Sequence, residues 1–457
     1  MKILHVTNYD NLGGAGIAAY RLHTALRKAG VDSRMLVRTK GSSDPFVTEV
    51  GTGEVRFADF TGQGGQPVRH SLGDGGRSEI SSPKAHSLWS KALSSRLAVR
   101  GRGWLGTKMT RLLGMADCSL NILPTGLHKI LNASDADVIH LHWINNEMIS
   151  IKEIAKIKKP IVWTLHDMWA MCGAEHYSSA DYWQTACGER SRTNGGDHKE
   201  EAKGYSLKSK VSSAVNHWIF KKKQKAWRNL SVSFVAPSNW MAEQVRQSEL
   251  FADAPVAVIS NCLDLEVFKP MDKAECRKKW NLPVDKKLIL FGAFDPMDVR
   301  KGGDLLSAAL SGLDYANTEL VVFGAAKGTD FFGIKTNWMG EISSEEGMKE
   351  LYNSANVYVC PSRIDNLPNT VLEARACGVP VVAFDVGGLS DLIRHRENGW
   401  LARPYEAEDF ASGISWVLDR FPFECDPSSG SAPKLAHSLG GAVKKHISVY
   451  ENLVTNH

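Results

Sequence analysis

The chain has 457 residues, 43% of them hydrophobic and 23% charged. That excludes wholesale disorder and, at roughly 150 residues per domain, points to two or three domains with sizeable cores. The 40 glycines follow no three-residue period, which excludes a collagen-like chain, and the eight cysteines form no CxxC pair, which argues against a zinc ribbon or a thioredoxin-like site. Mostly reduced thiols and a cytoplasmic setting are expected.

KILHVT (Lys2–Thr7) predicts a first strand rather than a signal peptide, and no run of about 18 apolar residues predicts a spanning helix. Gly16–Lys28 predicts a helix with Ala15, Ala18, Ala19, Leu22 and Leu26 on one face. SRMLVRT (Ser33–Thr39) is a second strand. Gly41–Ser82, rich in Gly, Ser and charge, reads as a long loop or insertion. Buried-type strands follow at DVIHLHW (Asp137–Trp143), PIVWTLH (Pro160–His166) and SVSFVAPS (Ser231–Ser238), the last leading into a helix from Trp240. A second series comprises LILFGAF (Leu288–Phe294), ELVVFGA (Glu319–Ala325), NVYVCPS (Asn356–Ser362) and PVVAFDVGG (Pro380–Gly388). Asp426–Gly441 is a Gly/Ser/Pro-rich link before a final helix. Apolar strands alternating with helices mean parallel sheets covered on both faces. Two such series, split near residues 262–285, predict two doubly wound α/β domains, with the chemistry in a cleft beyond the carboxyl ends of their strands.

The formal net charge of +5 is unevenly distributed. Two acid-free stretches, Ser81–Ala116 and Ala202–Ala242, carry fifteen of the 55 Lys and Arg, so the remainder of the chain is acidic. Both stretches also carry aromatics, Trp89 and Trp104 in the first and Trp218 and Trp227 in the second. Basic plus aromatic is the composition of a surface that docks on anionic lipid headgroups. Arg100, Arg102, Trp218, Lys221, Lys222 and Lys223 are the residues expected there. The plainer alternative is two solvated helix faces with core-facing aromatics. No nucleic-acid module is recognisable, so no nucleic-acid partner is expected.

Gly14-x-Gly16-x-x-Ala19 formally matches the dinucleotide fingerprint. It opens too far past the first strand, however, and the second strand ends in Arg38-Thr39-Lys40 without the ribose-binding acid. A glycine loop approaching an anion at a helix N-terminus is the better reading, with an NADP site at Arg38 as the alternative. His166-Asp167, at a strand's carboxyl end, suits proton handling or hydrogen bonding to a hydroxyl. His140 and His142 share a strand face and could ligate a metal, but no third ligand lies nearby in the sequence. Arg300-Lys301-Gly302-Gly303 offers two cations and two glycines ahead of a helix over Asp304–Leu313, a pyrophosphate seat. In Pro361–Ala374, Asp365 lies in a loop after a strand and Glu373 in the first turn of a helix. One acid can meet a sugar and the other a ribose; Thr370-x-x-Glu373 also fits a capping box.

At these residues the chain resembles the family 4-like glycosyltransferases of GT-B fold. The landmarks are GGAG (Gly13–Gly16), HLHW (His140–Trp143), TLHD (Thr164–Asp167), APS (Ala236–Ser238), SNCLDLEVFKP (Ser260–Pro270), RKGG (Arg300–Gly303), Asp365 and Glu373, VGGLSDLI (Val386–Ile393) and NGWL (Asn398–Leu401). The TLHDMW context is similar to bacterial exopolysaccharide transferases of the colanic-acid type. The resemblance implies two facing Rossmann-like domains: 1–262 for the acceptor, 263–420 for the nucleotide sugar, and 421–457 a linker and helix packing back on the first. It implies a retaining, metal-independent hexosyltransferase with no cofactor, using a UDP- or GDP-type sugar. Lys301 and Arg300 would meet the leaving diphosphate, His166 a donor-sugar hydroxyl, Asp365 the sugar and Glu373 the ribose. Thr370 and Val371 would hold phosphate through their backbone, and Gly14, Gly16, Gly302 and Asn369 would complete the donor seat. The implied acceptor is a lipid-linked saccharide at the inner face of the cytoplasmic membrane. The sequence departs from the family in having Asp365 where Glu is usual and Ala293 after Gly292 where Arg is frequent, a place Arg300 could fill. Only Cys172 and Cys187 remain of a cysteine cluster that often follows TLHD, so no metal knot is expected. A nucleotide-sugar epimerase of the same fold and a non-catalytic partner in a polysaccharide assembly are the alternatives. Oligomeric state is not encoded in these motifs.

Overall fold

A computed structural model of the chain describes residues 1–50, 96–113, 115, 118–178, 207–313, 317–324, 333–420 and 439–455. Two all-parallel sheets organise it. The first runs β3-β2-β1-β4-β5-β6-β7, with β1 Lys2–Tyr9, β2 Asp32–Thr39, β3 Val47–Glu49, β4 Val138–Leu141, β5 Ile161–Thr164, β6 Ser233–Ala236 and β7 Val256–Val258. The second runs β10-β9-β8-β11-β12-β13, with β8 Lys287–Ala293, β9 Thr318–Gly324, β10 Thr336–Gly340, β11 Val357–Cys360, β12 Val381–Phe384 and β13 Gly399–Ala402. The interior strands β4, β5, β11 and β12 are buried at every residue. Unbroken apolar runs of this kind fit strands covered on both faces.

The helices among the described residues are α1 Gly13–Lys28, α2 Arg96–Leu112, α3 Leu127–Ala133, α4 Ile151–Ile154, α5 Leu207–Trp227 and α6 Asn239–Gln247 around the first sheet. Around the second are α7 Lys273–Lys279, α8 Gly303–Leu310, α9 Glu345–Ser354, α10 Asn369–Ala376 and α11 Ala407–Arg420, and α12 Leu439–Thr455 closes the series. Separate apolar clusters cover the two faces of each sheet. Ala442, Val443 and Tyr450 of α12 lie in one cluster with Ile3, Leu22, Val138, Val162 and Val235, so the last helix packs on the first domain.

In both sheets the strand order reverses beside the first strand, between β1 and β4 and between β8 and β11. Loops on either side of such a switch point part and leave a crevice at the carboxyl ends. The parallel register also sets His5 of β1 opposite His140 of β4.

Four strands escape the sequence reading, β3, β7, β10 and β13, and they are the four edge strands of the two sheets. β3 falls inside the stretch read as an insertion; residues 51–82 of that stretch, and Trp89, lie outside the described residues. Helix α1 starts at Gly13 rather than Gly16, so the glycines form its first turn and not a loop ahead of it. The capping box at Thr370 does not form: Pro368 occupies the N-cap of α10 and Glu373 turns its carboxylate elsewhere.

Candidate active site

A cleft of ≈ 1260 Å³ lies between the two domains and is lined from both. Its C-terminal wall is built on two close approaches of backbone. Gly302 sits at φ 69°, where a Cβ would come 2.0 Å from the Pro361 carbonyl, and a Cβ on Gly303 would come 2.0 Å from the Pro296 carbonyl. Only glycine allows both the left-handed turn and the contact. The turn carries Lys301, whose Nζ donates to Asp365 Oδ2 at 2.9 Å, while Arg300 Nη1 lies 3.5 Å from the same oxygen. Burial alone would raise the Asp365 pKa, but Lys301 and Arg300 hold it below the ordinary carboxylate value. The Arg300 guanidinium also faces the Tyr177 ring at 5.6 Å.

The N-terminal wall centres on uncharged imidazoles. His166, after β5, places Nε2 3.1 Å from His142 Nδ1, and burial lowers its pKa to about 4. The Tyr177 hydroxyl donates to the His166 carbonyl at 3.3 Å. Asp167 accepts from Trp143 Nε1 at 2.8 Å and Asn145 Nδ2 at 3.0 Å, which fixes the loop beside His166. His140 and His142 do have a third imidazole beside them, that of His5, and the three offer nitrogens within 4.8 Å of one another. Yet both nitrogens of His140 are engaged, by the Tyr450 hydroxyl and Thr164 Oγ1, and both of His142, by His5 and His166. A metal taking one nitrogen from each ring would have to break a hydrogen bond at His140 and another at His142, so the cluster reads as an internal network.

Where the walls meet, they are stitched together. Asn369 Nδ2 donates to the Gly14 carbonyl at 2.9 Å and its Oδ1 accepts from Asn261 at 2.8 Å. Asn366 accepts from Ser238 Oγ at 2.7 Å and donates to the Leu165 carbonyl at 2.7 Å. Gly16 is needed for a different reason: a Cβ there would lie 2.9 Å from the Tyr9 carbonyl. Arg21 of α1 pairs with Glu373 Oε1 at 2.8 Å, and the Tyr352 hydroxyl donates to Glu373 Oε2 at 2.8 Å. Both oxygens expected to meet a ribose are therefore held by protein partners. Thr370 borders the cleft, whereas the Val371 side chain is in the core and its amide donates to the Pro368 carbonyl at 3.1 Å. Val371 thus offers no free amide to a phosphate.

Two other expectations are corrected. Lys223 is wholly buried, not a surface residue: its ammonium donates to the carbonyls of Trp169, Cys172 and Gly173 and lies 3.6 Å from the Trp169 ring centre. Burial pulls its pKa down to about 7. Arg38 is buried and donates to the carbonyls of Asn145 and Asn146, which removes it from any nucleotide phosphate. The basic segments otherwise divide. Lys221 is exposed, Lys222 sits 4.2 Å over the exposed Trp218 ring, and Arg102 is half-buried on α2, the helix that also carries Arg100. Lys84 and Lys91 lie outside the described residues.

Residues 109–267 match the family described as Glycosyltransferase Family 4, and residues 272–423 the family described as Glycosyl transferases group 1. The chain belongs to the GT-B glycosyltransferases. A D-inositol 3-phosphate glycosyltransferase of Thermobispora bispora is 26% identical over 229 residues, 45% of this chain and 50% of that protein. The chain thus spans about half the length of the curated relatives it matches. In structure it is similar to the Anabaena protein HepE, solved with UDP and glucose (TM-score 0.57, 16% identity, 99% of each chain covered). It is also similar to WaaG, a glycosyltransferase involved in lipopolysaccharide biosynthesis (TM-score 0.54, 15% identity, 98% of this chain and 99% of that one). At such identities the two structures speak for the fold.

Sequence reasoning found Lys301, Arg300, Asp365 and His166. It missed His5, Arg21, Tyr177 and Tyr352. His5 did carry a signal, a polar residue inside an apolar strand; the other three carried none.

Proposed function

We propose that this glycosyltransferase moves a hexosyl group, with retention and without a metal, from a UDP- or GDP-type sugar to a lipid-linked saccharide in surface-glycan synthesis. The observation that carries the reading is the cationic turn at Arg300 and Lys301, set on glycines at the switch point of the second sheet and facing neutral His166 across the cleft. A departing diphosphate gains negative charge. Two cations already ordered on a rigid turn would stabilise it, an arrangement typically worth roughly 3 kcal/mol per donor group. Asp365 would hold the cations apart from bulk water until the diphosphate replaces it. For Glu373 to reach a ribose, its pair with Arg21 has to open, so donor binding would act on the stitching between the domains.

The lipid-linked acceptor is supported by α2. Thr107, Thr110 and Arg111 line the cleft, while Trp104, Leu105 and Leu112 of the same helix are exposed. Its inner face is made of small residues: a Cβ on Gly103 would meet the Arg38 guanidinium at 2.7 Å, and one on Gly106 the Glu147 side chain at 2.7 Å. The helix therefore lies tight on the domain, with Met109 packed inward and Trp104, Leu105 and Leu112 turned outward. An interfacial helix of this build would keep the protein peripheral on the cytoplasmic face of the membrane. No helix among the described residues is long and apolar enough to cross one.

Calorimetry with UDP-, GDP- and ADP-sugars, comparing the chain with Lys301→Ala, tests the donor seat. Selective binding of one nucleotide class, lost in the variant, is expected. Binding of none of the three would overturn the reading. The anomeric configuration of the transferred sugar then tests retention, and release of an epimerised free nucleotide sugar in place of a transfer product would count against transfer.

A further inference from the structure

The imidazoles behind the cleft form an ordered series. His5 Nδ1 lies 2.9 Å from His142 Nε2, and His142 Nδ1 lies 3.1 Å from His166 Nε2, with ring centres 5.2 and 5.4 Å apart. Each contact joins two ring nitrogens, so each needs one proton between them. A neutral imidazole has one N–H and one lone pair, and its two nitrogens cannot both donate. Burial keeps all three rings neutral, with His5 and His142 well below the ordinary histidine value and His166 at about 4. The tautomers are then locked together. If His5 carries its proton on Nδ1, His142 must carry its own on Nδ1, and so must His166. If His5 carries it on Nε2, all three reverse.

The far end of the series selects between these states. His5 is fully buried, and its Nε2 meets no hydrogen-bonding atom among the described residues. A proton on that nitrogen would be a buried N–H without an acceptor, the rarer and costlier arrangement. Of the neighbouring rings, His140 is closed at both nitrogens by Tyr450 and Thr164, and His23, its centre 6.0 Å from that of His5, is held at Nδ1 by Ser33 and turns Nε2 towards Asp44 at 3.6 Å. The geometry points to His5 and His142 as positioning residues that hold His166 in the Nδ1–H tautomer, so that His166 offers the ligand in the cleft a hydrogen-bond donor rather than an acceptor. The ligand atom opposite is then an oxygen lone pair of a sugar hydroxyl. The functional half of this inference rests on the donor-cleft reading above; the tautomer does not.

The test uses the full chain with nitrogen-15-labelled histidine and long-range proton–nitrogen correlation, His166 being assigned by the signals lost in His166→Gln. Protonated Nδ1 at both His142 and His166 is expected, and a protonated Nε2 at His166 overturns the relay. His142→Phe removes the donor to His166 and is expected to give a mixture of tautomers there, with a loss of kcat/KM of about twofold, the loss an equal mixture carries. His142→Asn, whose amide can donate in place of Nδ1, is expected to restore both. Equal losses in the two variants with an unchanged tautomer would overturn the relay. Should either variant fail to fold, the wild-type spectrum still decides. If the tautomers are as expected but His166→Gln binds and turns over donor normally, the relay stands and the donor reading of His166 falls.

Discussion

The two walls of the cleft solve opposite electrostatic problems. The C-terminal wall holds two cations and a carboxylate around one oxygen, on a turn that only glycine can make. The N-terminal wall holds imidazoles that burial keeps uncharged. One side answers charge that a ligand brings with it; the other, beside an Asp167 tied to Trp143 and Asn145, presents directional hydrogen bonds from uncharged rings. The contrast teaches where substitutions should hurt, and by how much. Lys301→Ala should cost the most, about 10²- to 10³-fold in kcat, because it removes a cation aimed at developing charge. His166→Ala should cost roughly tenfold, the weight of one hydrogen bond. Steady-state kinetics on the two variants checks the ratio, and equal losses would erase the distinction between the walls.

The next effect concerns stability. Lys223 looks in the sequence like its neighbours Lys221 and Lys222, yet its ammonium satisfies three buried carbonyls in the segment that follows His166. Lys223→Met keeps the volume and leaves those carbonyls without a donor, so a loss of about 3 kcal/mol is expected in urea unfolding. Lys221→Gln should leave the midpoint unchanged. A silent Lys223→Met would show that the N-terminal wall does not depend on this buried charge.

Acid separates the domains in a third way. His5, His140, His142 and His446 stay neutral when folded, whereas in the unfolded chain each takes up a proton below about pH 6.5. The unfolded state therefore binds more protons there, and stability falls as pH drops from that value towards the folded one. His446, at about 4 when folded, alone should remove about 2 kcal/mol by about pH 5. Asp365 responds in the same direction but in a lower pH window. Its lowered pKa adds stability above the ordinary carboxylate value, and that is lost only as pH falls through the folded value. Hydrogen exchange read domain by domain at about pH 5 should find the first sheet opening before the second. Simultaneous opening would show that the stitches at Asn366, Asn369 and Arg21 couple the domains more strongly than the histidines divide them.

The same asymmetry explains what could be read in the sequence. The C-terminal wall comes from two short contiguous stretches, 300–303 and 361–373, so the spacing of charge and glycine is visible in one dimension. The N-terminal wall is assembled from β1, β4 and β5, and the proximity of His5 to His142 exists only once the register of the sheet is set. The interior strands are legible because burial on both faces leaves unbroken apolar runs. The edge strands β3, β7, β10 and β13 each carry at least one position that is not buried and left no such run. Lys223 was misplaced because composition reports charge without direction. On α5 it points inward while Lys221, two positions away, points out.

The smallest expected effect tests the outer surface of the N-terminal domain. On α2, Lys108 Nζ lies 4.3 Å from the Trp104 ring centre, and Trp104 is 62% exposed. On α5, Lys222 covers Trp218 in the same manner. Each cation near an anionic surface contributes about 1 kcal/mol, so Lys108→Gln or Lys222→Gln should weaken binding to phosphatidylserine-containing vesicles about fivefold, and less as salt rises. Trp104→Ser adds an apolar loss that salt does not screen. Co-sedimentation at two salt concentrations separates the two contributions. If Lys108→Gln and Trp104→Ser both bind vesicles as the parent does while Lys222→Gln does not, α5 alone meets the membrane. The exposed face of α2, which shares a helix with the cleft, would then be left to the lipid of the acceptor proposed above.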